Sequence, residues 1–145
     1  MDVDGTLTDG KIYMGNDGEI MKAFDVKDGY GIHDIAIPNG ITPIIITGRK
    51  STILERRCNE LGVTTVYQGV KNKLEQLRIV TEDFSIVSYI GDDINDLECM
   101  RYVKKAGGLI GCPADAVKEV KDVADFISNK DGGNGAVREF IEWLL

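Results

Sequence analysis

The chain has 145 residues, with 17 lysines and arginines against 24 aspartates and glutamates, for a net charge of −7. That length reads as one domain, residues 1–145, with room for a core but little for a separate lid. No basic block is present to attract nucleic acid, and there is neither a signal-peptide pattern nor an apolar run of about 18 residues, so the expectation is a cytoplasmic protein with no membrane partner.

The chain opens on Met1-Asp2-Val3-Asp4-Gly5-Thr6-Leu7-Thr8-Asp9, two carboxylates two apart followed by a turn-forming glycine and hydroxyl residues. On a continuing strand such a pair would point to opposite faces, but where a strand ends both can reach one cation and one phosphate. A buried strand should lead into the pair, and only Met1 precedes it, so the upstream first strand reads as missing. Next, Gly15-Asn16-Asp17-Gly18 is hairpin-turn chemistry between arms at Lys11 to Met14 and Glu19 to Asp25. From there β-like runs alternate with amphipathic helices, the signature of a parallel sheet covered on both faces. The expected order is a helix from Asp28 to Pro38, a strand from Thr42 to Ile46, a helix from Ser51 to Leu61 and a strand from Thr64 to Tyr67. It continues with a helix from Lys71 to Thr81, a strand from Ile86 to Ile90, a helix from Asn95 to Lys104 and a strand from Gly108 to Ile110. A helix from Ala114 to Val120 and a strand from Asp125 to Ile127 come next. A glycine-rich loop, Asp131 to Gly135, then leads into a helix from Ala136 to Leu145. Cys58, Cys99 and Cys112 are odd in number and lack CxxC spacing, which predicts buried free thiols.

In a sheet of this kind ligands bind past the carboxyl ends of strands, and the chemically suggestive residues fall there. The strand ending at Ile46 runs into Thr47-Gly48-Arg49, a hydroxyl, a backbone N–H and a guanidinium that suit phosphate oxygens, although Thr47 alone would also serve as an ordinary N-cap. The strand ending at Ile90 runs into Gly91-Asp92-Asp93-Ile94-Asn95-Asp96. One of those acids can cap a helix, but crowding three of them needs a compensating cation. Lys73, taken alone, reads as a solvated surface lysine. A calcium-binding EF-hand loop starting at Asp2 is excluded, because its sixth and twelfth positions would be Leu7 and Tyr13. A receiver domain is disfavoured because its lysine follows the last acidic position, whereas Lys73 precedes the Gly91-Asp92-Asp93 cluster.

Taken in order, DxDGT, Thr47-Gly48-Arg49, Lys73 and GDDxND resemble the haloacid dehalogenase (HAD) superfamily of phosphotransferases. The resemblance narrows with Thr8 to Tyr13, Phe24 to Ile32, Tyr67-Gln68-Gly69 and Gly133 to Glu139. These stretches are similar to the 3-deoxy-D-manno-octulosonate 8-phosphate (KDO 8-phosphate) phosphatase family and its relatives, the nonulosonate 9-phosphate phosphatases and the phosphatase-like domains of acylneuraminate cytidylyltransferases. The resemblance implies a Rossmannoid three-layer α/β/α fold with a mostly parallel sheet, a small β-hairpin flap and no cap domain. It implies a Mg2+-dependent phosphomonoesterase with Asp2 as nucleophile and Asp4 as acid and base. Asp2, Asp4 (through its carbonyl) and Asp92 would hold the metal while Asp93 and Asp96 steady its waters. Thr47, Gly48 and Lys73 would bind the phosphoryl oxygens. The substrate would be a small sugar-acid phosphate, KDO 8-phosphate ahead of an acylneuraminate 9-phosphate, read by Asp25, Lys27, Asp28, Gly29, Arg49, Arg57 and Arg138. His33 stands where the KDO 8-phosphate phosphatases typically carry arginine, and is equally a plain polar helix position. The family resemblance also implies a homotetramer joined through the hairpin. A non-catalytic oligomerisation module of a cytidylyltransferase is the other reading, and the intact acidic motifs speak for activity.

Overall fold

The computed structural model describes residues 1–145. A hairpin of β1 (Tyr13–Gly15) and β2 (Gly18–Met21) comes first, antiparallel about the Asn16-Asp17 turn. Its arms are shorter than the turn chemistry suggested, and Ile12, Met14, Ile20 and Met21 on it are exposed. The body then alternates β3 (Ile44–Ile46), α2 (Thr52–Glu60), β4 (Thr65–Tyr67), α3 (Lys73–Val80), β5 (Ser88–Ile90), α4 (Leu97–Lys105), β6 (Leu109–Cys112), α5 (Lys118–Lys121), β7 (Phe126–Ile127) and α6 (Ala136–Leu144), with α1 (Val26–Tyr30) ahead of β3.

β3 pairs in parallel with β4, and β5 with β6 and β6 with β7. The two halves are joined by the first residues of the chain. Ile46 N–H donates to the Met1 carbonyl, the Met1 amine donates to the Ile44 carbonyl, and Asp2 N–H donates to the Ile90 carbonyl. Met1 and Asp2 thus occupy the centre of the sheet, between β3 and β5, and hold Asp2 at the carboxyl edge where both neighbouring strands end.

Neighbouring strand residues point to opposite faces, and this divides the core in two. Ile46 and Tyr89 pack with Leu74, Leu77, Met100 and Val103 beneath α3 and α4. Ile45 and Ile90 pack with Val3, Ile32, Leu54, Val137 and Phe140 beneath α1, α2 and α6. Each fully buried isoleucine of this kind stabilises the fold by about 1.5–3 kcal/mol, which explains near-continuous β-branched strands in a sheet with no wet face. Side-chain caps start the helices: Asp25 accepts from Lys27 N–H at 2.6 Å, Ser51 from Leu54 N–H at 3.3 Å and Asn72 from Glu75 N–H at 3.0 Å.

Several boundaries differ from expectation for local reasons. The strand expected from Thr42 begins only at Ile44, since Pro43 has no N–H to pair. The helix expected from Asp28 begins at Val26, because Asp25 caps it, and it widens into a π-helical turn over Gly31–Ala36 before a 3-10 turn ends it at Asn39. The helix expected over Ala114 to Val120 is reduced to Lys118–Lys121. Pro113 to Ala116 instead form a turn closed by the Ala116 N–H on the Pro113 carbonyl. Cys58, Cys99 and Cys112 are buried free thiols.

Candidate active site

Asp2, Asp92 and Asp96 converge past the ends of the central strands, one carboxylate oxygen from each lying within 4.8 Å of the others. Lys73 Nζ sits among them, 2.8 Å from Asp2 Oδ1 and 2.8 Å from Asp96 Oδ1. The lysine is not the solvated surface residue that its position in isolation suggests. Its side chain is 3% exposed, against 6% for Asp2 and 0% for Asp96, so the charges face one another with little water between. Burial works against the Lys73 cation, but Asp96 and Asp2 outweigh it and hold its pKa above the ordinary value.

Asp96 is the hub. Its Oδ1 accepts from Lys73 and from the Tyr89 hydroxyl at 2.7 Å, and its Oδ2 accepts from the N–H groups of Asp92 and Asp93 at 3.2 and 3.4 Å. Both oxygens are therefore engaged in aiming other groups. Asp93 is exposed, with its carboxylate on the Ile94 N–H in a capping arrangement. Asp92 is held by Thr6, whose hydroxyl donates to Asp92 Oδ1 at 2.9 Å. The backbone passes so close at Gly5 that a Cβ there would lie 2.0 Å from Asp92 Oδ2, and its φ of +96° is a second reason for glycine.

Loss of water is the largest cause raising both Asp2 and Asp92. Asp2 is pushed up to about 6 by burial and then by Asp96, with Lys73 pulling the other way. Asp92 is pushed up to about 7 by burial and by the charges of Asp2, Asp96 and Asp93, against the Thr6 hydrogen bond. A set of oxygen-only donors this crowded suits a hard divalent cation, which removes the mutual repulsion. The sign of the pH effect follows. Aspartate ordinarily ionises near 3.8, so between about pH 4 and 7 the folded chain holds protons that the unfolded chain has lost. Stability of the metal-free protein therefore falls as pH rises through that window. Millimolar magnesium is expected to raise the melting temperature by several degrees at pH 8 and scarcely at pH 5 by calorimetry; an equal shift at both would contradict this electrostatic picture.

Asp4 lies on the other side of the turn and meets the hairpin. Lys22 Nζ donates to Asp4 Oδ1, and also sits 3.1 Å from Glu19. Arg49 spans the two acids, 3.9 Å from Asp4 and 3.6 Å from Glu19, while the Ser51 hydroxyl donates to Glu19. This network folds the hairpin over the acidic turn and leaves Arg49, 42% exposed, at the rim. Thr47 is buried in the turn between β3 and α2, its N–H on the Tyr67 carbonyl, and Gly48 follows it at the surface.

The other expected substrate residues form a second group. Asp28 is buried, and its carboxylate accepts from Gly135 N–H at 3.2 Å and Arg138 N–H at 2.8 Å, locking the loop before α6. Gly29 is packed against Arg57, where a Cβ would fall 2.3 Å from the guanidinium. Arg57 lies over the Phe24 ring and pairs with Glu60, with its buried Nε left without a hydrogen-bond partner. Arg138 pairs with Glu142 and stacks on Tyr30 at 5.0 Å, Lys27 is exposed, and Asp25 is spent as a cap. His33 is exposed beside Asp34.

Four residues that matter to this geometry lay outside the expected site residues: Thr6, Lys22, Tyr89 and Gly132. Thr6 is the one that the DxDGT spacing marks. Gly132 approaches the acidic turn so closely that a Cβ would lie 1.8 Å from the Gly5 carbonyl oxygen, while its N–H donates to Asp115 at 2.9 Å and the next N–H, of Gly133, donates to Thr6 O at 3.0 Å. The glycine-rich loop thus clamps the turn that carries Asp4.

No family model matches the chain. Among curated proteins it is 47% identical over 152 aligned residues to the 3-deoxy-D-manno-octulosonate 8-phosphate phosphatase KdsC of Escherichia coli K12, the match spanning 100% of the chain and 77% of that protein. Among solved structures it resembles the 3-deoxy-D-manno-octulosonate 8-phosphate phosphatase of Moraxella catarrhalis, a complex with magnesium, phosphate and KDO. The TM-score is 0.89 at 40% identity, covering 100% of the chain and 83% of that one. The cobalt-bound form of the Haemophilus influenzae phosphatase also gives 0.89, at 34% identity over 99% of the chain and 84% of that one.

Proposed function

Because the chain belongs to the KDO 8-phosphate phosphatase family of the HAD superfamily, we propose that it hydrolyses KDO 8-phosphate to KDO and phosphate through an aspartyl-phosphate on Asp2. The observation that carries this reading is the buried Asp2–Lys73–Asp96 array beside Asp92, at the carboxyl edge of the sheet. Asp2 attacks phosphorus in line, forming an oxygen–phosphorus bond as the bond from phosphorus to the sugar O8 breaks. Lys73 faces the phosphoryl oxygens with Thr47 and the Gly48 N–H, and Asp96 acts through Lys73 by fixing its ammonium. Asp4 gives its proton to the leaving O8; it then takes one from the water that attacks the aspartyl-phosphate, releasing phosphate and regenerating Asp2.

Asp2, Asp92 and the Asp4 carbonyl would hold the magnesium, whose contribution when bound is to neutralise phosphate charge facing an anionic nucleophile. Asp93, exposed at the mouth, is placed to order water there. Arg49 and Lys22, already paired with Asp4 and Glu19, give the hairpin its hold over the leaving group, and Arg49 with Lys27, Arg57 and Arg138 supplies the cationic side chains for a sugar carboxylate. The exposed apolar hairpin residues support assembly of copies into a tetramer through β1 and β2.

The specificity ratio tests the substrate. With magnesium present, kcat/KM for KDO 8-phosphate is expected to exceed that for an acylneuraminate 9-phosphate by at least about tenfold, on the order of 1.4 kcal/mol of discrimination. An equal or inverted ratio would reassign the substrate. Light scattering on the same sample is expected to give a tetramer, and a fully active monomer would overturn the assembly.

A further inference from the structure

Lys73 is the first residue of α3, and its ammonium reaches Asp2 on a flexible stem whose covalent geometry alone does not fix where the charge stands. Asp96 fixes it, and Asp96 is fixed in turn from the strand beside it. Tyr89, fully buried in β5 opposite Ile110 of β6, donates its hydroxyl to Asp96 Oδ1 at 2.7 Å. That is the same oxygen that accepts from Lys73 Nζ at 2.8 Å. The other oxygen, Oδ2, takes only the longer bonds from the Asp92 and Asp93 N–H groups, at 3.2 and 3.4 Å.

Tyrosine suits this task better than a longer polar side chain would. Its oxygen lies on the axis of the ring, so rotation of the ring leaves the donor in place. The ring belongs to the core that holds Leu74 and Leu77 of α3 and Met100 and Val103 of α4, which ties it to the helices bearing Lys73 and following Asp96. β5 also carries the backbone of the acidic turn, since Asp2 N–H donates to the Ile90 carbonyl at 3.1 Å. Asp2 and the anchor of Lys73 are therefore referred to one strand.

We propose that Tyr89 is a positioning residue for phosphoryl transfer, holding Asp96 Oδ1 and, through it, the Lys73 ammonium at its place beside Asp2. The proposal rests on the reading of Asp2 as nucleophile and Lys73 as phosphoryl ligand. An ammonium has three protons. One is directed at Asp96 and one at Asp2, which leaves the third for a phosphoryl oxygen. Without the Tyr89 hydroxyl, Oδ1 is located by the flexible lysine alone, and the third proton loses its aim. Such a loss falls on the transition state more than on bound substrate, because prearranged charge acts where new charge develops.

Tyr89→Phe removes one oxygen and keeps the ring. It is expected to lower kcat for phosphate release by about tenfold with KM within about twofold, and to weaken binding of orthovanadate, a five-coordinate mimic of transferring phosphorus, by about tenfold. Magnesium affinity by calorimetry is expected to stay within about twofold, and in a Lys73→Met background Tyr89→Phe should add nothing to either loss. A lowered melting temperature with kcat and vanadate affinity unchanged would reduce Tyr89 to a packing residue and overturn the proposal. So would a fall in magnesium affinity that matches the fall in kcat, which would place the effect at Asp92 through Oδ2, or a full tenfold loss in the Lys73→Met background. If Lys73→Met does not fold, the other measurements on Tyr89→Phe decide alone. A parent chain that leaves KDO 8-phosphate intact but binds vanadate would sink the substrate reading only, with vanadate and magnesium affinities still deciding Tyr89; one that binds no vanadate would overturn both.

Discussion

Asp2→Asn is expected to lose at least about 10⁴-fold in kcat while the protein stays folded. The amide keeps the shape of the carboxylate but cannot attack phosphorus. Stability should hold or rise slightly. Asp2 is buried with its pKa pushed up to about 6 by desolvation and by Asp96, so its charge is unfavourable in the metal-free fold. Removing it leaves Lys73 paired with Asp96 at 2.8 Å, and also removes one of the charges that push Asp92 up. A melting temperature within a few degrees of the parent protein, with no phosphate release, separates a missing nucleophile from a misfolded chain. Substantial residual turnover would remove Asp2 from the mechanism.

Asp96→Ala is expected to be the most destabilising change among the acidic residues, by about 3–5 kcal/mol. Four donors lose an acceptor together: Lys73 Nζ, which is left with Asp2 alone, the Tyr89 hydroxyl and the N–H groups of Asp92 and Asp93. Two of those side chains are buried and cannot turn to water, so the unsatisfied groups carry the cost. At this chain length the loss corresponds to roughly 10–15 °C in melting temperature. Asp96→Asn keeps an acceptor oxygen and should lose less stability, yet it still removes the charge that holds Lys73 in place. A wild-type melting temperature for Asp96→Ala would show that the hydrogen-bond hub is not holding the loop.

The architecture was legible because its signals are local. Ile45 and Ile46, like Tyr89 and Ile90, are buried on opposite faces of the sheet, so their runs read as central parallel strands, and the acids follow directly where those strands end. The Asn16-Asp17 turn disclosed the hairpin for the same reason. What escaped was set by contacts between residues far apart in the chain. Thr6 meets Asp92 at a separation of 86 residues, and Asp28 accepts from Gly135 at a separation of 107. No spacing rule announces either pair.

Asp28 stood among the expected substrate residues because it lies in Phe24 to Ile32, and its geometry is that of a clamp on the loop before α6. Asp96 stood among the metal-facing acids because it is crowded with Asp92 and Asp93, although both its oxygens serve Lys73, Tyr89 and backbone amides. Lys22 gave no signal because an isolated lysine on a hairpin is ordinarily solvated. Here Asp4 and Glu19 draw it in until its side chain is 2% exposed.

Magnesium-dependent phosphoryl transfer with Asp2 as nucleophile is the chemistry proposed for these carboxylates. Phosphate release from KDO 8-phosphate, measured for the parent chain and for Asp2→Asn with magnesium and with a chelator, tests it most directly. Phosphate should appear in a one-to-one ratio with KDO only for the parent chain and only with magnesium. Release that persists in the chelator, or that Asp2→Asn matches, would contradict it.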